Sequence, residues 1–189
     1  AATGAEDTGG ACLPGSAAAL AALAAPSACR LLQCLRCFAD TRVPLHLANA
    51  LKYSTALPVA GLSCLRHRAP EAEWASQWGT LWLLAAAANS LLSAYWDVER
   101  DWAVPWLAAG RVLPSPAAKP SRLYGPPWLY SCAIALNCAL RASWALSPPP
   151  ALACLGEVVR RAVWLLLRVE TEVLRLRQLD SKVLLRTVT

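Results

Sequence analysis

The chain has no methionine, one phenylalanine and two isolated histidines, His46 and His67. Lacking even an initiator residue, it reads as a piece of a longer protein. It contains no H-E-x-x-H motif, no Ser/His/Asp set and no phosphate-cradling glycine loop. Glu and Arg alone do not build an active site, so an enzyme is not expected. The single C-x-x-C, Cys34 with Cys37, lacks the further ligands that a zinc site requires, and neither metal nor cofactor is expected. Most of the other six cysteines, Cys12, Cys29, Cys64, Cys132, Cys138 and Cys154, lie in apolar stretches, where cysteine acts as a small hydrophobe. Net charge is +6, yet no stripe of bases interleaved with aromatics runs along a polar segment, so nucleic acid is not an expected partner. The Ala-rich stretch 17–25 has no basic region before it and is not read as a signal peptide.

Apolar residues are plentiful. They make up 57% of the chain, with mean hydropathy +0.38, against about 45–50% in soluble domains. Four runs approach the roughly 20 residues that cross a bilayer: 44–65, 74–96, 127–146 and 151–167. Pro148, Pro149 and Pro150 break the last two apart into a tight hairpin. Between the second and third runs lies a polar connection, 97–126, with Pro105, Pro114, Pro116, Pro120, Pro126 and Gly110. A short amphipathic piece at 102–109 is expected at the interface. Trp74, Trp78, Trp96, Trp102, Trp106 and Trp128 fall near the span ends, as in an aromatic belt. Residues 169–185 form a charged amphipathic helix along the membrane or a neighbouring domain. The expected fold is all-α: a polytopic transmembrane helical bundle of about four spans with interfacial helices. Residues 1–28 read as an Ala-rich low-complexity linker, 29–175 as the membrane domain and 176–189 as a cytoplasmic tail. Lys and Arg gather before the first span, in 97–126 and after the last, which puts both termini in the cytoplasm.

Charges inside the spans are the informative feature. Lys52 lies in the first, Arg141 in the third, and Glu157, Arg160 and Arg161 in the fourth. A charge at the bilayer centre costs roughly 2.5–3.5 kcal/mol on insertion scales, and is tolerated facing a partner or a water-filled cavity. Helical spacing gives each span one polar stripe: Asn49, Lys52 and Thr55; Ser90, Ser93 and Asp97; Asn137, Arg141 and Trp144; Glu157, Arg160 and Arg161. Four bases against Glu157 and Asp97 favour an anion. Guanidinium groups match phosphate oxygens with paired bonds, although sulfate, chloride or a carboxylate fits the same physics. The alternatives are a snorkelling Lys52, an Arg141 at a helix end, and Asp97 and Asp101 as loop carboxylates. In that case the charges serve helix pairing in a non-transporting membrane receptor or scaffold.

These residues stand in recognisable blocks. C-L-R-C-F-A-D-T-R spans 34–42, H-L-A-N-A-L-K-Y-S-T 46–55, Y-W-D-V-E-R-D-W 95–102, L-R-A-S-W 140–144 and E-V-V-R-R-A-V-W-L-L-L-R-V-E 157–170. In order and spacing the chain resembles the EXS domain, the membrane module of plant phosphate exporters, yeast Syg-type proteins and the mammalian xenotropic and polytropic retrovirus receptor. The resemblance implies export of inorganic phosphate from the cytosol without ATP hydrolysis. It also implies a phosphate path lined by Lys52, Tyr53, Asp97, Arg141, Trp144, Glu157, Arg160 and Arg161. It further implies a plasma-membrane or Golgi location, and leaves open whether an SPX domain, which often precedes EXS in the family, stands elsewhere in the full-length chain. Whether the protein forms a homodimer stays open. Residues 168–173 read R-V-E-T-E-V where the family continues R-L-E-N-E-H.

Overall fold

A computed structural model describes residues 16–146 and 149–188, apart from the side chains of residue 108 and residues 184–188. The first half of the expected linker, with Cys12, and Pro148 of the proline turn lie outside the described residues. The described residues are mostly helical, with no strand among them. The chain divides into two compact units, with the boundary between Leu91 and Leu92.

In the first unit, α1 spans Ala17–Thr41. Ser16 caps it, its hydroxyl accepting from the Ala19 amide at 3.1 Å. Arg42 ends it in the left-handed region, φ 57°, with its amide on the Phe38 carbonyl. The helix therefore runs without a break across position 28, where the sequence suggests a linker edge.

The expected helix over 44–65 is two helices, α2 (Pro44–Ser54) and α3 (Ala56–Arg66), parted at Thr55. Pro58 is the physical reason: it has no N–H to give the Ser54 carbonyl, and its ring crowds that turn. The Ser54 and Thr55 hydroxyls fold back onto the Leu51 and Lys52 carbonyls at 2.8 and 2.7 Å, which favours a bend. Lys52 thus sits in the last turn before the break. Helix α1 packs on both α2 and α3. The buried residues here are mostly small, Cys34, Ala50, Ala60, Cys64 and Ala86 among them, which lets helices approach closely.

A short α4 (Glu71–Glu73) leads into a π turn at Trp74–Trp78 and then α5, Gly79–Tyr95, which carries the chain into the second unit. A second π turn, Trp96–Asp101, follows. The Trp102 amide reaches back five residues to the Asp97 carbonyl at 2.9 Å, so the turn is widened where Asp97 and Asp101 stand.

Prolines keep residues 102–126 from forming a regular helix, as expected, and leave 3₁₀ turns at Leu107–Ala109 and Pro116–Ala118. The segment is no simple interfacial loop, however. Trp102 and Val104 are wholly buried and share a core with Val98, Tyr130, Ile134 and Leu167. Apolar burial on that scale outweighs any preference of Trp102 for an interface belt. Helix α6 (Pro127–Ala142) ends in a 3₁₀ turn, Ser143–Leu146. Helix α7 spans Pro150–Val188 and fuses the expected fourth span with the amphipathic helix after it. At 39 residues it is about 58 Å long, well beyond the roughly 30 Å of a hydrocarbon core.

Among the described residues, two helical stretches, Ala17–Thr41 and Pro127–Leu146, are long and apolar enough to cross a membrane. Only 6% and 11% of their most apolar windows are buried, whereas the core helix of a soluble protein would be mostly covered. The first of these is not among the spans read from sequence. The surface is inside-out for water: Leu81, Leu83, Leu84, Leu91, Leu152, Leu155, Val158, Leu165 and Leu166 are exposed. Meanwhile Asp97, Lys119, Asn137, Arg160 and Glu170 are buried. Such exposed apolar surface marks contact with lipid or with other apolar partners.

Candidate functional site

In the second unit, α6 and α7 turn polar side chains toward the Trp96–Asp101 turn. On α6, Asn137 and Arg141 are one turn apart and share a face. Both reach Asp97: its Oδ2 accepts from Asn137 Nδ2 at 3.0 Å and from Arg141 Nε and Nη2 at 2.8 and 2.6 Å. From α7, Arg160 Nη1 comes within 3.8 Å of the same oxygen and donates to Asn137 Oδ1 at 3.5 Å.

The rest of the Arg160 guanidinium forks onto Glu157, Nε to Oε2 at 2.9 Å and Nη2 to Oε1 at 2.6 Å. Arg161 Nε also donates to Glu157 Oε1, at 2.7 Å. Charge-assisted bonds of this kind are short and directional. The two arginines of the pair differ in what remains. Arg160 has all three nitrogens engaged and its side chain is 10% exposed, whereas that of Arg161 is 73% exposed. Arg161 is held through Nε alone, and most of its side chain stays exposed.

Three guanidiniums thus meet two carboxylates, Asp97 and Glu157, for a net charge of +1. A nearby tier continues along α7. Trp164 Nε1 donates to Asp101 Oδ2 at 3.0 Å, and Arg168 lies 3.5 Å from Asp101 Oδ1 and 2.7 Å from Glu172. Asp97 and Asp101 are therefore partners of α6 and α7 rather than loop carboxylates.

Five of the eight residues read from sequence come together in this way: Asp97, Arg141, Glu157, Arg160 and Arg161. Trp144 sits half-buried in the Ser143–Leu146 turn. Lys52 and Tyr53 belong to the first unit, where the Lys52 ammonium lies 4.3 Å from the centre of the Tyr53 ring, a cation–π contact. There the Thr55 hydroxyl stands 3.1 Å from Asn89 Oδ1, and Trp82 Nε1 donates to Ser63 Oγ at 3.0 Å, tying α5 to α2 and α3.

A second charged centre lies outside the site residues read from sequence. Glu170 on α7 is fully buried, and Lys119, from the proline-rich segment, is nearly so. Lys119 Nζ donates to Glu170 Oε2 at 2.6 Å. Glu170 Oε1 accepts from the Leu123 amide and the Tyr130 hydroxyl. Burial alone would raise the Glu170 carboxyl, but the Leu123 amide, Lys119 and Tyr130 outweigh it and hold the group below its ordinary value. Arg122 secures the same segment by donating to the Pro116 and Ala117 carbonyls at 2.9 and 3.2 Å. One sequence signal was available: Glu170 shares a helical face with Val163, Leu167 and Leu174, where an acid is out of place.

Comparison with known proteins gives a consistent picture. The model of the EXS family matches residues 3–174. "Phosphate transporter PHO1" of Arabidopsis thaliana is 31% identical over 163 residues, covering 76% of this chain and 19% of that protein. "SPX and EXS domain-containing protein 5" of Dictyostelium discoideum is 30% identical over 171 residues, 78% of this chain and 18% of that protein. "Solute carrier family 53 member 1" of Cricetulus griseus is 29% identical over 166 residues, 78% of this chain and 23% of that protein. The chain spans about a fifth of the length of these relatives.

Proposed function

This chain belongs to the EXS family, and on that premise we propose that it lines part of a route by which inorganic phosphate leaves the cytosol across a membrane. The carrying observation is the group of Arg141, Arg160 and Arg161 around two carboxylates, with Arg161 largely exposed. A guanidinium fork fits two phosphate oxygens. Asp97 and Glu157 compete for the same donors, so a bound anion is held weakly enough to leave. That a relative from Arabidopsis is named a phosphate transporter supports phosphate over the other anions.

In this reading residues 44–65, 74–96, 127–146 and 151–167 cross the bilayer, α1 does not, both termini are cytoplasmic, and Lys52, Tyr53 and Trp144 belong to the path as the family resemblance implies. The membrane is the plasma membrane or a Golgi-type endomembrane. The names of relatives that carry SPX and EXS domains support an SPX domain in the full-length protein. A homodimer fits the reading as well, and no catalysis is assigned.

The second reading is a non-transporting receptor or scaffold. It is favoured by Arg160, whose nitrogens are all satisfied within the protein, as in helix pairing. Phosphate efflux from cells expressing the full-length protein separates the two. Arg161→Ala abolishes efflux in a conduit and leaves it unchanged in a scaffold.

A further inference from the structure

Helix α7 is charged at two heights. Arg160 and Arg161 meet the Asp97 group, and Glu170 lies ten residues further on, about 15 Å along the axis. No proline or glycine follows Gly156 in this helix, so the two levels move as one rod.

Glu170 is met from two other pieces of chain. Lys119 and the Leu123 amide come from the proline-rich segment, and Tyr130 from the first turns of α6. The charged and titratable groups around the carboxyl are Lys119, Tyr130 and, near the Tyr130 hydroxyl, Arg122. Lys119 Nζ also stands 4.9 Å from the Tyr130 ring centre. With Glu170 fully buried and Lys119 2% exposed, α7 cannot slide or turn against these pieces without leaving a charge unpaired in the interior. A well-packed apolar pair would stabilise the fold as well or better. What a buried ion pair adds is one permitted register.

We propose that Glu170 and Lys119 are positioning residues for the anion path: their pair sets the register of α7, and so the place of Arg160 and Arg161 against Asp97 and Arg141. This rests on the phosphate reading above.

The test uses the full-length protein in phosphate-loaded vesicles, with Glu170→Gln, Lys119→Met and the exchanged pair Lys119→Glu/Glu170→Lys. Half-saturating phosphate is measured beside protein amount. Glu170→Gln keeps an amide in place of the carboxylate and is expected to raise half-saturation about tenfold with protein amount little changed. The exchanged pair is expected to move it back toward wild type. A second measurement needs no transport: melting midpoints of wild type, Glu170→Gln, Asp97→Asn and the double variant. Sites more than about 10 Å apart with no shared partner are additive, so a double variant that departs from additivity supports a common register. Unchanged half-saturation together with additive midpoints would overturn the proposal and leave a local staple. If the wild type moves no phosphate, the phosphate reading falls, and the midpoints still decide the register.

Discussion

Arg141 donates twice to one oxygen of Asp97, through Nε at 2.8 Å and Nη2 at 2.6 Å, and so joins α6 to the widened turn after α5. Asp97 is therefore both an anchor for Arg141 and a competitor for any anion that Arg141 would bind. Asp97→Asn keeps the shape and removes the competitor. Phosphate is expected to bind more tightly and leave more slowly, lowering both half-saturation and maximal flux by about tenfold, with a destabilisation of up to about 3 kcal/mol from the buried charges left unbalanced. Concentration-dependent efflux and thermal melting check both. A higher half-saturation would show that Asp97 orients the site rather than competing in it.

The neighbouring arginines separate stability from transport. Arg161 is largely exposed and holds a single hydrogen bond, so Arg161→Ala is expected to cost less than about 1 kcal/mol. Arg160 is buried against two carboxylates, and Arg160→Ala leaves both short of a partner, a loss of about 3–5 kcal/mol. Both variants are expected to lose efflux, but only Arg160→Ala should lower the melting midpoint substantially. Arg161→Lys keeps the charge without the fork and is expected to recover part of the flux.

Glu170 predicts an acid limit for the second unit. Its carboxyl is held below the ordinary value of 4.5. A carboxyl depressed by folding contributes stability that is present above its unfolded pKa and lost as pH falls through the folded one. The melting midpoint of the wild type is therefore expected to fall as pH is lowered through and below the ordinary carboxyl value, and Glu170→Gln should flatten that part of the curve. Equal slopes in the two proteins would remove Glu170 from the account.

Periodicity exposed what lies within single helices. Asn137 with Arg141, and Glu157 with Arg160 and Arg161, were legible because residues three and four apart share a face. The 127–146 helix was legible because a mostly apolar run of about 20 residues has few other uses. Helix α1 is not legible as a span because alanine is weakly hydrophobic and Arg30, Arg36 and Asp40 interrupt its run. The Lys119–Glu170 pair joins residues 51 apart, and nothing local to either marks the other. Trp102 looked like a belt residue because its burial depends on Tyr130, Ile134 and Leu167, all distant in sequence.

The break at Thr55 gives the last prediction. Pro58 withholds a donor from the Ser54 carbonyl, and the Ser54 and Thr55 hydroxyls bend the same turn. A proline inside a helix costs about 3 kcal/mol relative to alanine, so Pro58→Ala is expected to join α2 to α3 and to raise the melting midpoint. Joining them changes the course of the turn that carries Lys52. If the bend serves only to accommodate a proline, efflux in the stabilised variant will match wild type. If it aims Lys52 along the phosphate route, the more stable protein will transport less, by about tenfold or more, and the further replacement Lys52→Ala will then cost little extra. Stability and flux measured on the same purified variant decide between the two, and the second outcome is the one expected.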